Sequence, residues 1–136
     1  MAIIPQEAQE LFKSVADVVF TTANADGQPN GSIVGMKAIL DDETIYLSDQ
    51  FFNKTKANFL ANSKCSVVFW EGSKAFQLYG TVEYVTEGDI FAAQSAWVNA
   101  AFEKMGMPIT AKGGCIIKVD AVYTSTPGPQ AGAQIA

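Results

Sequence analysis

Short apolar runs separated by turn-forming residues constrain the fold of this chain more than any other feature. "VADVVFTTA" (15–23), "SIVGMKAIL" (32–40) and "IYLSD" (45–49) are rich in the β-branched and aromatic residues that favour strands. Between them lie "NADGQPNG" and "DDET", which concentrate the Asn, Asp, Gly and Pro typical of hairpin turns. This part of the chain therefore predicts a three-stranded antiparallel meander.

Three further strands are predicted from "CSVVFWEG" (65–72), "AFQLYGTVEYV" (75–85) and "GCIIKVDAVYTS" (114–125). Gly80 lies inside the second of these runs, where a glycine indicates a bend or a close approach of another backbone. Alternation in the last run predicts one face made of Ile116, Lys118, Asp120 and Val122, and an opposite face made of Cys115, Ile117, Val119, Ala121 and Tyr123.

Three helices are predicted at residues 5–13, about 54–62 and 87–106. The first has Ala8, Leu11 and Phe12 on one face, and the third spaces Ile90, Trp97, Ala101 and Met105 at helical intervals before Gly106 ends it. Residues 125–136 have the composition of a mobile or draped tail. A single mostly β domain over residues 1–124 is expected, with six antiparallel strands forming a small barrel.

Charge and composition exclude several kinds of function. The net charge is −5, and all nine cations are lysine, so the forked donor that usually reads phosphates and bases is missing. Nucleic acid is therefore not an expected partner. The chain has no histidine, which argues against hydrolytic triads, imidazole acid/base chemistry and a zinc site. If the protein is an enzyme, a cofactor is expected to carry the chemistry.

Compartment and membrane contact can also be anticipated. Cys65 and Cys115 lie in apolar strands and are expected to be buried, reduced thiols. No run approaches the ~20 apolar residues of a membrane span, and "MAIIPQEAQELFKSV" lacks the pattern of a secretory signal. We expect a cytoplasmic protein that does not enter a membrane.

The stretch "FFNKTKANFL" (51–60) places Lys54 and Lys56 in the first turn of the second helix. The helix dipole makes that turn partly positive, so lysines there are unfavourable by ~0.3–1 kcal/mol each. Either the turn is simply exposed, or it receives an anion. Unpaired N–H groups, a lysine and the Thr55 hydroxyl would together suit a phosphate, and Asn53 could cap the turn.

The order of these elements resembles the FMN-binding split-barrel family, which includes pyridoxamine 5′-phosphate oxidase and small FMN-binding proteins. The resemblance rests on "DGQPNGSIVGMKAIL", "IYLSDQFFNKTKAN", "SKCSVVFW" and "FQLYGTVEYV", and above all on "KTKAN" (54–58) after an apolar strand and a short loop. It implies a six-stranded antiparallel split barrel of Greek-key type. The short helix would carry a phosphate site, and the longer helix would precede the last strand.

The resemblance also implies a cofactor, FMN, in a groove at a homodimer interface. Its phosphate would contact Lys54 and Thr55, while Asn58 would brace the loop. The residues expected along the ribityl chain and the ring system are Ser32, Ile33, Val34, Gly35, Leu47, Ser48, Asp49, Gln50 and Phe51. Phe51 and Phe52 could instead pin the loop to the core. Trp70 and Trp97 are expected in the core or a dimer interface rather than against the ring.

The function implied is an FMN-dependent oxidoreductase of unknown small-molecule substrate. Three alternatives stay open: a non-enzymatic FMN electron carrier, a split barrel that binds deazaflavin F420, haem or another ligand, and a ligand-free interaction module. Pyridoxamine 5′-phosphate oxidases use arginine and histidine on their substrate, and this chain has neither, so that particular activity is not expected. No catalytic residue and no metal ligand can be named.

Overall fold

All strands of the protein join one antiparallel sheet that curls into a half-barrel. The computed structural model describes residues 1–136. Its elements are α1 (Gln6–Ser14), β1 (Val18–Ala23), β2 (Pro29–Val34), β3 (Lys37–Asp41), β4 (Thr44–Asp49), α2 (Lys54–Ala61), β5 (Lys64–Glu71), β6 (Lys74–Val85), α3 (Asp89–Lys104) and β7 (Gly113–Thr124). The strand order is β2-β1-β5-β6-β7-β4-β3. The mostly β class and the curled antiparallel sheet are thus confirmed.

The strand count differs by one from the six predicted. The run from Ser32 to Leu40 forms two strands, because the chain leaves the ladder at Gly35 and Met36 and crosses from one edge of the sheet to the other. Met36 still contributes there, since its carbonyl accepts a hydrogen bond from the N–H of Ser48 (2.9 Å). The two edge strands of the curled sheet are therefore consecutive in the chain.

The core fills the concave side of the sheet. Alternate residues of the strands supply it, among them Phe20, Leu47, Val67, Leu78 and Ile117, together with Ala8, Leu11 and Phe12 of α1. Phe12 meets Phe69 edge-on, with ring centroids 5.4 Å apart. The buried face predicted for α1 is confirmed.

A β-bulge corrects the faces predicted for β7. The pairing with β6 shifts between Tyr79 and Gly80, so that Tyr79 lies opposite Ala121 and Gly80 opposite Val119. The extra residue reverses the alternation, and Val122 joins Val119 in the core instead of lying on the other face. Gly80 is required at this point because a Cβ there would lie 2.5 Å from Cγ2 of Ile117.

The helix α3 and the two tryptophans differ from expectation in detail, whereas the tail is draped over the sheet. The buried face of α3 is Ser95, Val98 and Phe102, whereas Ile90, Trp97 and Met105 of the expected stripe are exposed. The two tryptophans do not lie in the core, since Trp70 and Trp97 are 53% and 39% exposed. The tail folds back on β7, where the N–H of Ile135 donates to the carbonyl of Val122 (2.8 Å).

None of the three helices has the length and hydropathy that crossing a membrane would require. Both cysteines are free: Cys115 is buried and Cys65 is half-buried. Burial raises the pKa of the Cys65 thiol to about 12 and raises that of Cys115 as well. The burial predicted for Cys115 is confirmed, whereas Cys65 is less buried than predicted.

Candidate functional site

A cleft of about 510 Å³ opens between β2, the end of β4 and the start of α2, and we name it the β2–α2 cleft. It is lined by residues 32–36, Ser48, residues 50–55 and Phe102. Its volume lies in the range of ~300–1,000 Å³ that is usual for small-molecule sites. Lys54 is the only charged side chain in the lining, and no carboxylate faces it. The cleft therefore favours a ligand with a negative group.

Backbone donors concentrate where α2 begins. The first backbone hydrogen bond of the helix runs from the N–H of Ala57 to the carbonyl of Asn53 (3.1 Å). The N–H groups of residues 54–56 precede that bond and have no acceptor within the helix. Asn53 does not cap them as predicted, because its side chain makes no capping hydrogen bond. Lys54 and Thr55 line the cleft, so their two backbone donors and the positive end of the helix dipole lie beside it.

Thr55 links this helix start to the edge strand β2. It is only 3% exposed, more buried than a helix start in solvent would be. Its Oγ1 accepts a hydrogen bond from Nδ2 of Asn30 (2.9 Å) and shares another with the hydroxyl of Ser32. Ser32 and Thr55 therefore present a pair of hydroxyls at the cleft wall beside Lys54.

The same network continues inwards. Nδ2 of Asn30 also lies 3.3 Å from Oγ1 of Thr22, and that oxygen accepts a second bond from Nδ2 of Asn58 (3.1 Å). Asn58 thus braces α2 against β1 and does not line the cleft, because its amide is turned inwards. Neither Asn30 nor Thr22 was singled out from the sequence. Their role depends on contacts between residues far apart in the chain.

Asp49 shapes the loop that leads into α2. It is 1% exposed; its Oδ1 accepts the N–H of Phe52 (2.9 Å), and its Oδ2 accepts the hydroxyl of Tyr84 (2.6 Å). Burial and this bond to Asp49 raise the pKa of Tyr84. Asp49 therefore does not line the cleft as predicted, because its carboxylate is committed to the turn.

Strand alternation decides which residues of β4 reach the cleft. Leu47 is fully buried in the core, which removes it from the predicted lining, while its neighbour Ser48 faces the cleft. The hydroxyl of Ser48 donates to Oε1 of Gln50, which also lines the cleft. The predicted residues that do line it are Ser32, Ile33, Val34, Gly35, Ser48, Gln50, Phe51, Lys54 and Thr55.

Two adjacent phenylalanines have different roles. Phe52 packs against the rings of Phe20 and Phe59, with centroids 5.7 and 6.1 Å apart, and so pins the loop to the core. Phe51 is 72% exposed at the cleft, where it offers a flat apolar surface. Leu60 of α2 is exposed.

Sequence reasoning did not place Met36, Asn53 and Phe102 in the lining, and it left Phe52 open between the flavin and the core. Met36 and Asn53 each adjoin a predicted lining residue, so extending the predicted runs by one position would have included them. Phe102 comes from α3, and no local pattern connects that helix to residues 32–36. Lys56 is turned away from the cleft, with Nζ 4.8 Å from the ring centroid of Tyr84.

Comparison with known proteins agrees with this architecture. The sequence pattern described as pyridoxamine 5′-phosphate oxidase matches residues 4–125. An uncharacterized protein of Methanocaldococcus jannaschii is 33% identical over 133 residues, which cover 94% of this chain and 87% of that protein.

Similar crystal structures share nearly the whole fold. HupZ of Group A Streptococcus is 25% identical and has a TM-score of 0.82. The match covers 98% of this chain and 100% of the HupZ chain. An FMN-binding protein of Syntrophomonas wolfei is 15% identical, covers 90% of this chain and 86% of its own, and has a TM-score of 0.78.

Other structures of this fold are named for other ligands. An F420 reductase is 15% identical, covering 88% of this chain and 98% of its own. HutZ, the heme storage protein of Vibrio cholerae, is 12% identical, covering 90% of this chain and 95% of its own. Both have a TM-score of 0.66, and at these identities the likeness shows the fold alone.

Proposed function

The chain belongs to the pyridoxamine 5′-phosphate oxidase family, and from that membership we propose that the β2–α2 cleft binds FMN and that the protein is an FMN-dependent oxidoreductase. The observation that carries the proposal is the start of α2. One wall of the cleft brings together the Lys54 ammonium, the hydroxyls of Ser32 and Thr55, and the backbone N–H groups of residues 54 and 55, which have no helical acceptor. That donor set suits a phosphate.

The remaining lining fits the rest of a flavin nucleotide. Ser48 and Gln50 supply polar atoms beside the helix start, where a ribityl chain would lie. Ile33, Met36 and the exposed face of Phe51 supply apolar surface next to the backbone of β2, where a ring system would lie. The site combines one anionic anchor with a mainly apolar wall, as cofactor sites commonly do.

When bound, FMN would supply hydride or electron transfer, which no side chain of the cleft can carry out. The chain's own contribution is to bind, orient and shield. Lys54 is the only titratable group in the lining. The protein therefore places one positive charge in the cleft but no pair of groups for acid/base catalysis. The absence of arginine and histidine argues against pyridoxamine 5′-phosphate oxidation as the reaction.

A titration with FMN tests the cofactor. The purified protein should be yellow or become so on adding FMN, should quench FMN fluorescence, and should show a higher Tm with FMN than without it. A colourless protein with none of these responses would overturn the proposal.

A second candidate is an FMN electron carrier without catalytic turnover, favoured by the lack of acid/base groups in the cleft. Reduction of quinones or nitro compounds by a nicotinamide in the steady state supports the oxidoreductase. If the bound flavin is reduced only by light and never turns over, the carrier is the better description.

Two solved structures of similar fold are named for F420 and for heme, and we therefore consider F420 and haem as alternative ligands. The chain has no histidine to serve as an axial ligand, and Met36 is the only sulfur-bearing side chain in the cleft lining. We therefore rank haem below the flavins. Parallel titrations with FMN, F420 and haemin should show the tightest binding for FMN.

We also propose a homodimer whose interface covers the open side of the cleft. Ile33 is 77% exposed and lines both the β2–α2 cleft and a second cavity of about 460 Å³, which Trp70 also lines. An exposed apolar surface continuous with a cofactor cleft is a common mark of an interface. Trp70→Glu should yield a monomer that binds FMN more weakly. A wild-type protein of monomeric mass with FMN bound contradicts the dimer.

The proposed compartment is the cytoplasm. Its support is that both thiols are free, as expected where the environment is reducing. Fractionation of the native cells should recover the protein with the cytoplasmic fraction. Recovery outside the cytoplasm would contradict this assignment.

A further inference from the structure

Asn30 occupies a position that the FMN proposal does not use. It lies on β2 directly opposite Thr22 of β1, and its amide nitrogen reaches the hydroxyl oxygens of both Thr22 (3.3 Å) and Thr55 (2.9 Å). The two threonines are 5% and 3% exposed. Asn30 is therefore the only side chain that ties the inner part of the network to the hydroxyl at the cleft wall.

The hydrogens of this network can be counted. An amide nitrogen only donates, so Asn30 occupies one lone pair of the Thr55 oxygen. Ser32 and Thr55 share one further bond, which uses the hydrogen of one of the two hydroxyls. Whichever hydroxyl donates, the other O–H has no acceptor in the network. Since both residues line the cleft, that O–H is available to an anion there.

We propose that Asn30 is a positioning residue that directs this hydroxyl pair to donate into the cleft, and so makes the site selective for a phosphomonoester. The inference rests on the proposed function and names its selectivity. A donor at position 30 prevents Thr55 from turning its own hydrogen inwards. An acceptor at position 30 would take that hydrogen, Ser32 would then donate to Thr55, and neither hydroxyl would serve the phosphate.

Comparison of FMN with riboflavin, which lacks the phosphate, tests the inference. The quantity measured is the ratio of the two dissociation constants for each variant. Asn30→Leu replaces the amide donor with an uncharged side chain that cannot donate. The preference for FMN over riboflavin should then fall about fivefold, which is the effect of losing one ordinary hydrogen bond. Asn30→Asp reverses the polarity and adds a negative charge, and the preference should fall more than about tenfold. Riboflavin affinity should change little in both, which a general loss of structure would not produce.

Gln28→Leu is the matched control, because Gln28 is exposed on the same hairpin and its side chain bonds only to the adjacent carbonyl of Pro29. It should leave both affinities unchanged. If the wild type prefers FMN strongly and both Asn30 variants keep that preference, the role of Asn30 is wrong while the FMN site stands. If the wild type does not distinguish FMN from riboflavin, the phosphate site itself is wrong. Should Asn30→Asp fail to fold, Asn30→Leu decides alone.

Discussion

At the scale of single residues, two lysines of one helical turn have different surroundings. Lys54 lines the β2–α2 cleft, whereas Lys56 packs over the ring of Tyr84. Their spacing in the sequence does not distinguish them from pairs of lysines that are both exposed on a helix. Only Lys54 can place its ammonium next to the free N–H groups of α2. A lysine in the first helical turn is unfavourable by itself, but at position 54 its charge can serve the ligand, whereas at position 56 it cannot.

This difference predicts unequal effects on FMN binding. Lys54→Gln should weaken FMN binding about tenfold, as expected when one charge-assisted hydrogen bond of ~1.5 kcal/mol is lost. Lys56→Gln removes the same charge two residues away and should change the affinity by less than about threefold, because that ammonium is turned away. Isothermal titration with FMN measures both, and equal losses would mean that the phosphate site lies elsewhere.

At the scale of elements, the loop between β4 and α2 depends on one buried carboxylate. Asp49 closes the turn through the N–H of Phe52 and links it to β6 through Tyr84. Asp41 makes a similar turn bond to the N–H of Glu43 (2.8 Å), but in an exposed hairpin. Asp49 and Asp41 can therefore be compared as two turn-closing carboxylates that differ mainly in burial.

Removing each carboxylate should therefore have different consequences. Asp49→Ala leaves a tyrosine hydroxyl and a backbone N–H without a partner, and the free energy of unfolding should fall by about 1–3 kcal/mol. Asp41→Ala lets water replace the carboxylate, and the loss should stay below about 1 kcal/mol. Urea denaturation of both variants checks the comparison. Similar losses would show that burial of Asp49 adds nothing.

At the scale of the whole molecule, burial raises the pKa of four weakly acidic groups that lie in four different strands. Burial raises the pKa of Tyr46 and of Cys65 to about 12, and it raises the pKa of Cys115 and Tyr84. Unfolded cysteine and tyrosine ionise near pH ~8.5 and ~10. The folded state therefore holds more protons than the unfolded state above those values, and stability must fall as pH rises.

We accordingly predict a stable protein up to about pH 8 and a falling Tm between pH 8.5 and 11. A fully buried thiol such as Cys115 can contribute a loss of about 1.4 kcal/mol per pH unit once the unfolded thiol ionises. Thermal unfolding followed by circular dichroism at a series of pH values measures this. Cys65→Ala should reduce the steepness of the fall, and a Tm that stays constant to pH 11 would contradict the prediction.

The sequence by itself determined the fold class and most of the elements. Alternating apolar residues, turn formers and helix stops act over a few neighbours, so the three helices, the start of α2 at Lys54 and every strand except the division of residues 32–40 into β2 and β3 could be predicted from them. Ser48 and Lys54 were expected at one site because the chain resembles the FMN-binding split-barrel family, and both line the cleft.

Only the tertiary structure decided how these elements meet. The bulge opposite Gly80 moves Val122 into the core, the chain crosses between sheet edges at Gly35, and Asn30 bonds to Thr55, 25 residues further along. These outcomes depend on strand pairing and packing between distant residues, which periodicity does not encode. For that reason the sequence identified the donors of the cleft, whereas the partners that orient them became visible only in the folded molecule.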